Sequence, residues 1–308
     1  MISIIIPAHN AEGTIRDAVQ SVLWQDEEDY EALVVLNGCT DRTRAVAEEA
    51  AAGDARFRFL TLAAGDLSAA LNAGAAASRG SLVAFLDADD VLAPCFLSQM
   101  AGLLEYADTD IAVCRLDRFR VMPRFVKEGG VTVLSGEDRF QILKDNLLGP
   151  MRQVKMYRRE TLAGVRFPEW HVHEDEYAAY DILKNAGAVA LTDAVLYGYR
   201  EQDGSITRRE DTAANLEDIF LSLAHRVYEA EKDGRNEIAA DALRKACADA
   251  GYRYAHLDRE EQKKAKYLME SLSGMLKKKR GLLTGKEYRK FRVILMCPGL
   301  LRLRKWAG

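Results

Sequence analysis

Four short apolar runs near the start of the chain, Ile2 to Ile6, Ala32 to Leu36, Phe57 to Thr61 and Ser81 to Leu86, alternate with segments whose apolar residues recur at helical spacing. Ile15, Val19, Val22 and Leu23 share one face between Glu12 and Leu23, a second helix is expected from about Thr40 to Ala52, and an alanine-rich one from Ser68 to Ser78. Repeated strand-then-helix order predicts an α/β fold, a Rossmann-like, mostly parallel sheet flanked by helices. In open sheets of this kind ligands bind beyond the carboxyl ends of the strands. Those ends are Pro7 to Asn10, Asn37 to Asp41 and Asp87 to Asp90, so three loops are expected on one crevice.

The third loop carries the strongest chemical signal. An apolar strand runs directly into Asp87-Ala88-Asp89-Asp90, three carboxylates within four positions. Core packing does not call for them. Oxygen ligands at such a strand end suit a hard divalent cation, which in turn holds the phosphates of a nucleotide. The plain alternative is a solvated turn closing a strand.

Length and charge narrow the field. The chain has 308 residues, enough for one large domain or a domain with an appendage. Its formal charge of −4 is uneven, because Lys277 to Gly308 holds eleven Lys or Arg against the single acid Glu287, which leaves the remainder near −14. An acidic main body argues against a nucleic-acid partner. Cys39, Cys95, Cys114, Cys247 and Cys297 form no Cys-x-x-Cys pair, so a zinc site and disulfides are not expected. No apolar run is long enough to cross a bilayer, and Met1 opens directly into a strand. A cytoplasmic location is expected.

Past Pro94 the alternation loosens. Expected elements are a helix from Phe96 to Tyr106, a strand from Ile111 to Cys114, a helix near Glu137 to Leu147, and then helices alone from about Glu210. This places a boundary near 208, dividing the chain into 1–208 and a helical C-terminal region, 209–308, with a basic amphipathic tail.

Together, six segments in this order resemble family 2 glycosyltransferases of the GT-A fold, of the type that builds bacterial polysaccharides. They are Ile4 to Asn10, Asn37 to Asp41, Leu67 to Gly74, Asp87 to Asp90, Arg166 to Glu169 with His173 to Glu176, and Tyr197 to Thr207. The resemblance covers roughly residues 1 to 208. It implies nucleotide-sugar contacts at Pro7, His9, Asn10, Asn37, Asp41, Leu71, Asp87, Ala88 and Arg200. It also implies Mn²⁺ or Mg²⁺ on Asp89, with Asp87 a metal or ribose contact. Asp175 is the implied catalytic base, and Glu174 orients it or touches the acceptor. The implied reaction is an inverting transfer from a nucleotide sugar, UDP-linked by default, to a hydroxyl of a glycan or lipid-linked acceptor.

The acidic run Glu174-Asp175-Glu176 also reads as an ordinary first turn of a helix, favoured by the helix dipole. His171 and His173 alternate beside it, Trp170 is a candidate for stacking on a sugar, and Gln202 is a candidate phosphate contact beside Arg200.

Three positions depart from the family. His9 stands for an aromatic, Asn37 for an Asp and Leu71 for an Arg, and leucine cannot supply an arginine's hydrogen bonds. The base is therefore open among uracil, guanine, cytosine and thymine, and a non-catalytic nucleotide-sugar-binding or scaffold protein is the rival reading. A sugar nucleotidyltransferase or a dinucleotide-dependent dehydrogenase would need a glycine-rich loop after the first strand, and Pro7 to Gly13 has none. In the tail, Lys277 to Arg280, Arg302, Arg304 and Lys305 mix with Phe291, Ile294, Leu295, Leu300, Leu301, Leu303 and Trp306. Such a mixture fits a peripheral helix on an anionic membrane face, or a helix packed back on the domain with its basic face in solvent.

Overall fold

A computed structural model of the chain describes residues 1–63, 66–145, 148–169, 172–202 and 212–299. It contains two compact units, Met1–Trp170 with Asp181–Ser205, and His171–Tyr180 with Ile206–Gly308.

The first unit is built on β1 (Ile2–Ala8), β2 (Tyr30–Asn37), β3 (Phe57–Leu62), β4 (Leu82–Phe85), β5 (Val91–Leu92), β6 (Ile111–Phe119), β7 (Val131–Ser135), β8 (Lys155–Arg158) and β9 (Ala188–Arg200). They form one sheet in the order β3-β2-β1-β4-β8-β6-β9-β5, with β7 paired to β9. The pairs β1/β2, β1/β4, β2/β3 and β6/β9 are parallel. Those of β4/β8, β6/β8, β5/β9 and β7/β9 are antiparallel. The sheet is thus mixed, and the parallel reading holds for the N-terminal strands. On the far side of β4 its neighbour is the antiparallel β8 rather than another parallel strand.

Every residue of β1 and β2 is buried, as expected for parallel strands covered on both faces. The helices α1 (Ile15–Leu23), α2 (Thr43–Ala51) and α3 (Leu67–Ala77) follow the first three strands, and α4 (Phe96–Tyr106) follows β5. Asp66 caps α3 by accepting from the Ala69 N–H. Gly74 lets that helix approach the sheet, since a Cβ there would collide with Ile5 Cγ2 and lie 3.3 Å from Val35 Cγ2. At the end of β4 the Phe85 ring meets Tyr157 and Phe167 edge-on, at 6.0 and 5.8 Å between centroids. The helix expected near Glu137 to Leu147 is a 3-10 helix over Gly136–Lys144.

The second unit is helical: the beginning of α5 (Glu174–Asn185), then α6 (Ala213–Lys232), α7 (Asn236–His256), α8 (Arg259–Lys278) and α9 (Gly285–Met296). Leu223, Val227, Leu243, Cys247, Leu272 and Leu276 form its core. Thr212 and Asp258 cap α6 and α8, and Thr284 with Glu287 forms a capping box on α9. Phe291, Ile294 and Leu295 are buried in this core. That corrects the membrane-facing reading of the tail for α9, whose apolar stripe is already occupied by helix packing. Leu300 to Trp306 lie outside the described residues.

Candidate active site

The first two loops are stitched together. His9 donates from Nδ1 to the Asn37 carbonyl at 2.7 Å, and Asn10 Oδ1 accepts from the Thr40 N–H at 2.8 Å. Asn10 takes a left-handed conformation, φ 48°, which asparagine tolerates better than most residues. His9 and Asn10 are exposed, and Pro7 is buried within β1. Asp41 spends both carboxylate oxygens on backbone, accepting from the Thr43 and Glu12 N–H groups at 3.0 Å each. Asn37 is buried and donates from Nδ2 to the Asp66 carbonyl, while its Oδ1 has no hydrogen-bond partner.

Leu71 is a correction. It is fully buried on the inner face of α3, so it has no surface to offer a ligand. Its neighbour Asn72 has a clear role, donating to the Phe167 carbonyl at 2.8 Å and accepting from the Phe167 N–H at 3.0 Å. This pins the Arg166 to Glu169 segment to α3.

The Asp87 to Asp90 turn is braced by Tyr197 of β9. The Tyr197 hydroxyl accepts from the Asp87 N–H at 3.3 Å and donates to Asp90 Oδ2 at 2.7 Å. The other Asp90 oxygen accepts from the Arg200 N–H at 2.7 Å. Asp90 is thereby a buried structural acid, and burial together with Asp87 and Asp89 holds its carboxyl well above the usual range. Ala88 is buried beside it.

Asp87 and Asp89 remain partly accessible. Burial, and then the Asp87 charge, push Asp89 up from 3.8 to about 6. A carboxylate held up this way is short of positive charge. Two arginines supply some: Arg152 Nη2 pairs with Asp87 Oδ1, and Arg200 Nε donates to the Asp89 carbonyl at 2.7 Å while Nη2 pairs with Asp17 of α1 at 2.7 Å. Gln202 Nε2 lies 3.4 Å from Asp89 Oδ2. Nothing in the sequence marks Arg152 as a site residue. The antiparallel register of β8 on β4, Ala84 opposite Met156, carries it to the carboxyl end of β4.

No group of three or more His, Cys, Asp or Glu among the described residues is arranged to hold a metal. The donor set nevertheless fits a hard cation that takes its remaining oxygens from a diphosphate: two oxygen-only side chains, Asp87 and Asp89, the latter held above its ordinary pKa by burial and by the Asp87 charge.

Glu174, Asp175 and Glu176 open α5 and belong to the second unit. Asp175, half-buried, lies between two buried glutamates, and its Oδ1 accepts from the Glu176 N–H at 2.7 Å. Glu176 is an ion-pair hub: Oε1 is 2.8 Å from Arg226 Nη2 and Oε2 is 3.1 Å from Lys245 Nζ. Burial holds the His173 imidazole below its ordinary pKa, and Ser222 donates to its backbone carbonyl at 3.1 Å. Trp170, His171 and Gly204 to Thr207 lie outside the described residues.

The mixed sheet thus gathers acidic and basic side chains at the carboxyl end of β4, the place where open α/β sheets bind their ligands. Residues 3–165 match Glycosyl transferase family 2, and the chain belongs to that family. It is 31% identical over 220 residues to the uncharacterized glycosyltransferase EpsJ of Bacillus subtilis, a match spanning 67% of this chain and 63% of that protein. It is 28% identical over 219 residues to the succinoglycan biosynthesis protein ExoO of Rhizobium meliloti, across 67% and 62% of the two chains. These matches leave more than a third of each relative uncovered. The fold is that of GT-A glycosyltransferases: the S. aureus TarS 1-349 structure in complex with UDP-GlcNAc superposes with a TM-score of 0.76 at 18% identity, covering 99% of this chain and 93% of that one.

Proposed function

We propose that this protein is an inverting, metal-dependent glycosyltransferase that moves a sugar from a nucleoside diphosphate to a hydroxyl of a glycan or lipid-linked acceptor in surface polysaccharide synthesis. The observation that carries the reading is the Asp87 to Asp90 turn, where Asp89 is held near 6 by burial and by Asp87, with Arg152 and Arg200 close by. Names such as that of ExoO support the polysaccharide context, and the UDP-GlcNAc complex of TarS supports a UDP-linked donor. Exposed His9 suits stacking on the base.

Asp89 and Asp87 would hold Mn²⁺ or Mg²⁺, which supplies Lewis-acid neutralisation of the departing diphosphate. Arg200 adds fixed positive charge at the same strand end. An acceptor hydroxyl is a weak nucleophile at neutral pH, so a carboxylate must take its proton as the new C–O bond forms. We assign this to Asp175. The acceptor oxygen bonds to the anomeric carbon, the bond to the diphosphate oxygen breaks with its electron pair, and the proton passes to Asp175. A single displacement of this kind inverts the anomeric configuration.

Calorimetric titration with UDP, with and without Mn²⁺ and with GDP as competitor, tests the donor side. Metal-dependent binding should disappear in Asp89→Ala and persist in Asp175→Asn, and only the latter should then lose transfer while keeping the nucleotide. Tight GDP binding without UDP binding would reassign the base, and binding of neither nucleotide would leave the scaffold reading standing.

A further inference from the structure

The third acid of the Asp87 to Asp90 turn poses a physical problem. Three carboxylates within four positions repel one another, and a four-residue turn does not by itself fix where each one points. The structure treats Asp90 apart from the other two. It is 1% exposed and both its oxygens are engaged from β9, Oδ2 by the Tyr197 hydroxyl and Oδ1 by the Arg200 N–H, each at 2.7 Å. The same hydroxyl, on a fully buried tyrosine, accepts from the Asp87 N–H at 3.3 Å, so one oxygen atom joins the first and last acids of the turn. The Asp90 N–H closes the turn on the Asp87 carbonyl at 3.0 Å. β5 continues the contact, with Val91 opposite Gly198 and Leu92 opposite Tyr197, and the approach is so close that a Cβ on Gly198 would lie 2.9 Å from Val91 Cγ2. From the same stretch of β9, Arg200 reaches back to the Asp89 carbonyl.

We infer that Tyr197 and Asp90 are positioning residues for the donor site, a clamp that fixes the two accessible carboxylates, Asp87 and Asp89, in register with the Arg200 guanidinium. Neither touches the ligand. Both are buried, and they act through the Asp87 and Arg200 backbones. Groups behind a metal site typically carry about 10- to 100-fold in metal affinity, and a displacement of about 1 Å at a reacting centre costs on the order of 100-fold in rate. The clamp itself stands on the hydrogen bonds alone. Its consequence for nucleotide binding rests on the proposed function.

Tyr197→Phe in the full chain removes one oxygen and no carboxylate. In calorimetry with UDP and Mn²⁺ it should weaken metal-dependent binding by about 10- to 100-fold. Tyr30→Phe is the control: that hydroxyl also belongs to a buried tyrosine, donates to the Val22 carbonyl at 3.1 Å, and sits where β2 begins, at the opposite end of the sheet. It should leave the metal-dependent affinity unchanged. Hydrogen exchange followed by NMR, without nucleotide or metal, reads the clamp directly. The Asp87 and Arg200 amides should be protected in wild type, and Tyr197→Phe should release Asp87. Unprotected Asp87 and Arg200 amides in wild type, wild-type affinity in Tyr197→Phe, or an equal loss of affinity in Tyr30→Phe would each overturn the inference. A wild type that binds no nucleotide would instead defeat the donor-site reading, and amide exchange would still decide whether the clamp exists.

Discussion

Glu176→Gln should destabilise the helical unit by about 3–5 kcal/mol, an effect typical of breaking a buried ion pair. Glu176 and Arg226 have side-chain exposures of 5% and 4%, and their charged atoms lie 2.8 Å apart. At an effective dielectric of about 20 the gross attraction is about 6 kcal/mol, most of it offset by desolvation. Arg226 Nε and Glu176 Oε1 lack an aligned hydrogen bond, which favours the lower end of the range. The substitution strands two cations, Arg226 and the one-fifth exposed Lys245, whereas Arg226→Met leaves Glu176 still paired with Lys245. The arginine variant should therefore cost less, about 2–3 kcal/mol, and the double variant should fall short of the sum of the singles by about 2 kcal/mol. Burial alone would raise the Glu176 pKa, but Arg226 and Lys245 outweigh it and hold the carboxyl below its ordinary 4.5. The stabilisation is accordingly complete above pH 4.5 and fades as pH falls through the lowered value, a dependence Glu176→Gln should flatten. Urea denaturation followed by circular dichroism reads all four proteins. A single-variant loss under about 1 kcal/mol, or strict additivity, would refute the reasoning.

Two further perturbations address the donor half. In chelator-treated protein at pH 7, Asp89→Asn should raise stability by up to about 3 kcal/mol, because the folded pKa of about 6 lies above the ordinary 3.8 and the charged form is penalised. By the same sign, metal-free wild type should gain stability as pH falls from 7 towards 4, while metal-dependent nucleotide binding should weaken below about 6; urea denaturation and calorimetry across that range check both. Gly74→Ala should cost about 1–2 kcal/mol in urea denaturation, because overpacking against Ile5 and Val35 exceeds the gain of about 1 kcal/mol in helix propensity.

The sequence made the parallel strands legible because burial on both faces leaves continuous apolar runs, and Ile2 to Ile6 and Ala32 to Leu36 sit inside β1 and β2. It made α4 legible to the residue. Beyond Pro94 the strands pair across long separations, antiparallel except for β6 on β9, and local pattern says little about such pairing: β6 runs on along β9 to Phe119, five residues past the expected Cys114. The site divides along the same line. Asp87 and Asp89 announce themselves because they interrupt an apolar run. Arg152 does not, since its meaning comes from β8 lying against β4, and neither does Asp17, an exposed helix acid until Arg200 arrives from β9. Leu71 misleads for a related reason: a position can align with a ligand contact while its side chain faces the core. In the Glu174-Asp175-Glu176 run the three acids look equivalent, yet both glutamates are buried and the aspartate between them is the more accessible. Glu176 anchors that turn through Arg226 and Lys245, and its N–H holds Asp175 Oδ1. Asp175, the base proposed above, is thus steadied by a neighbour whose own charge is already spent.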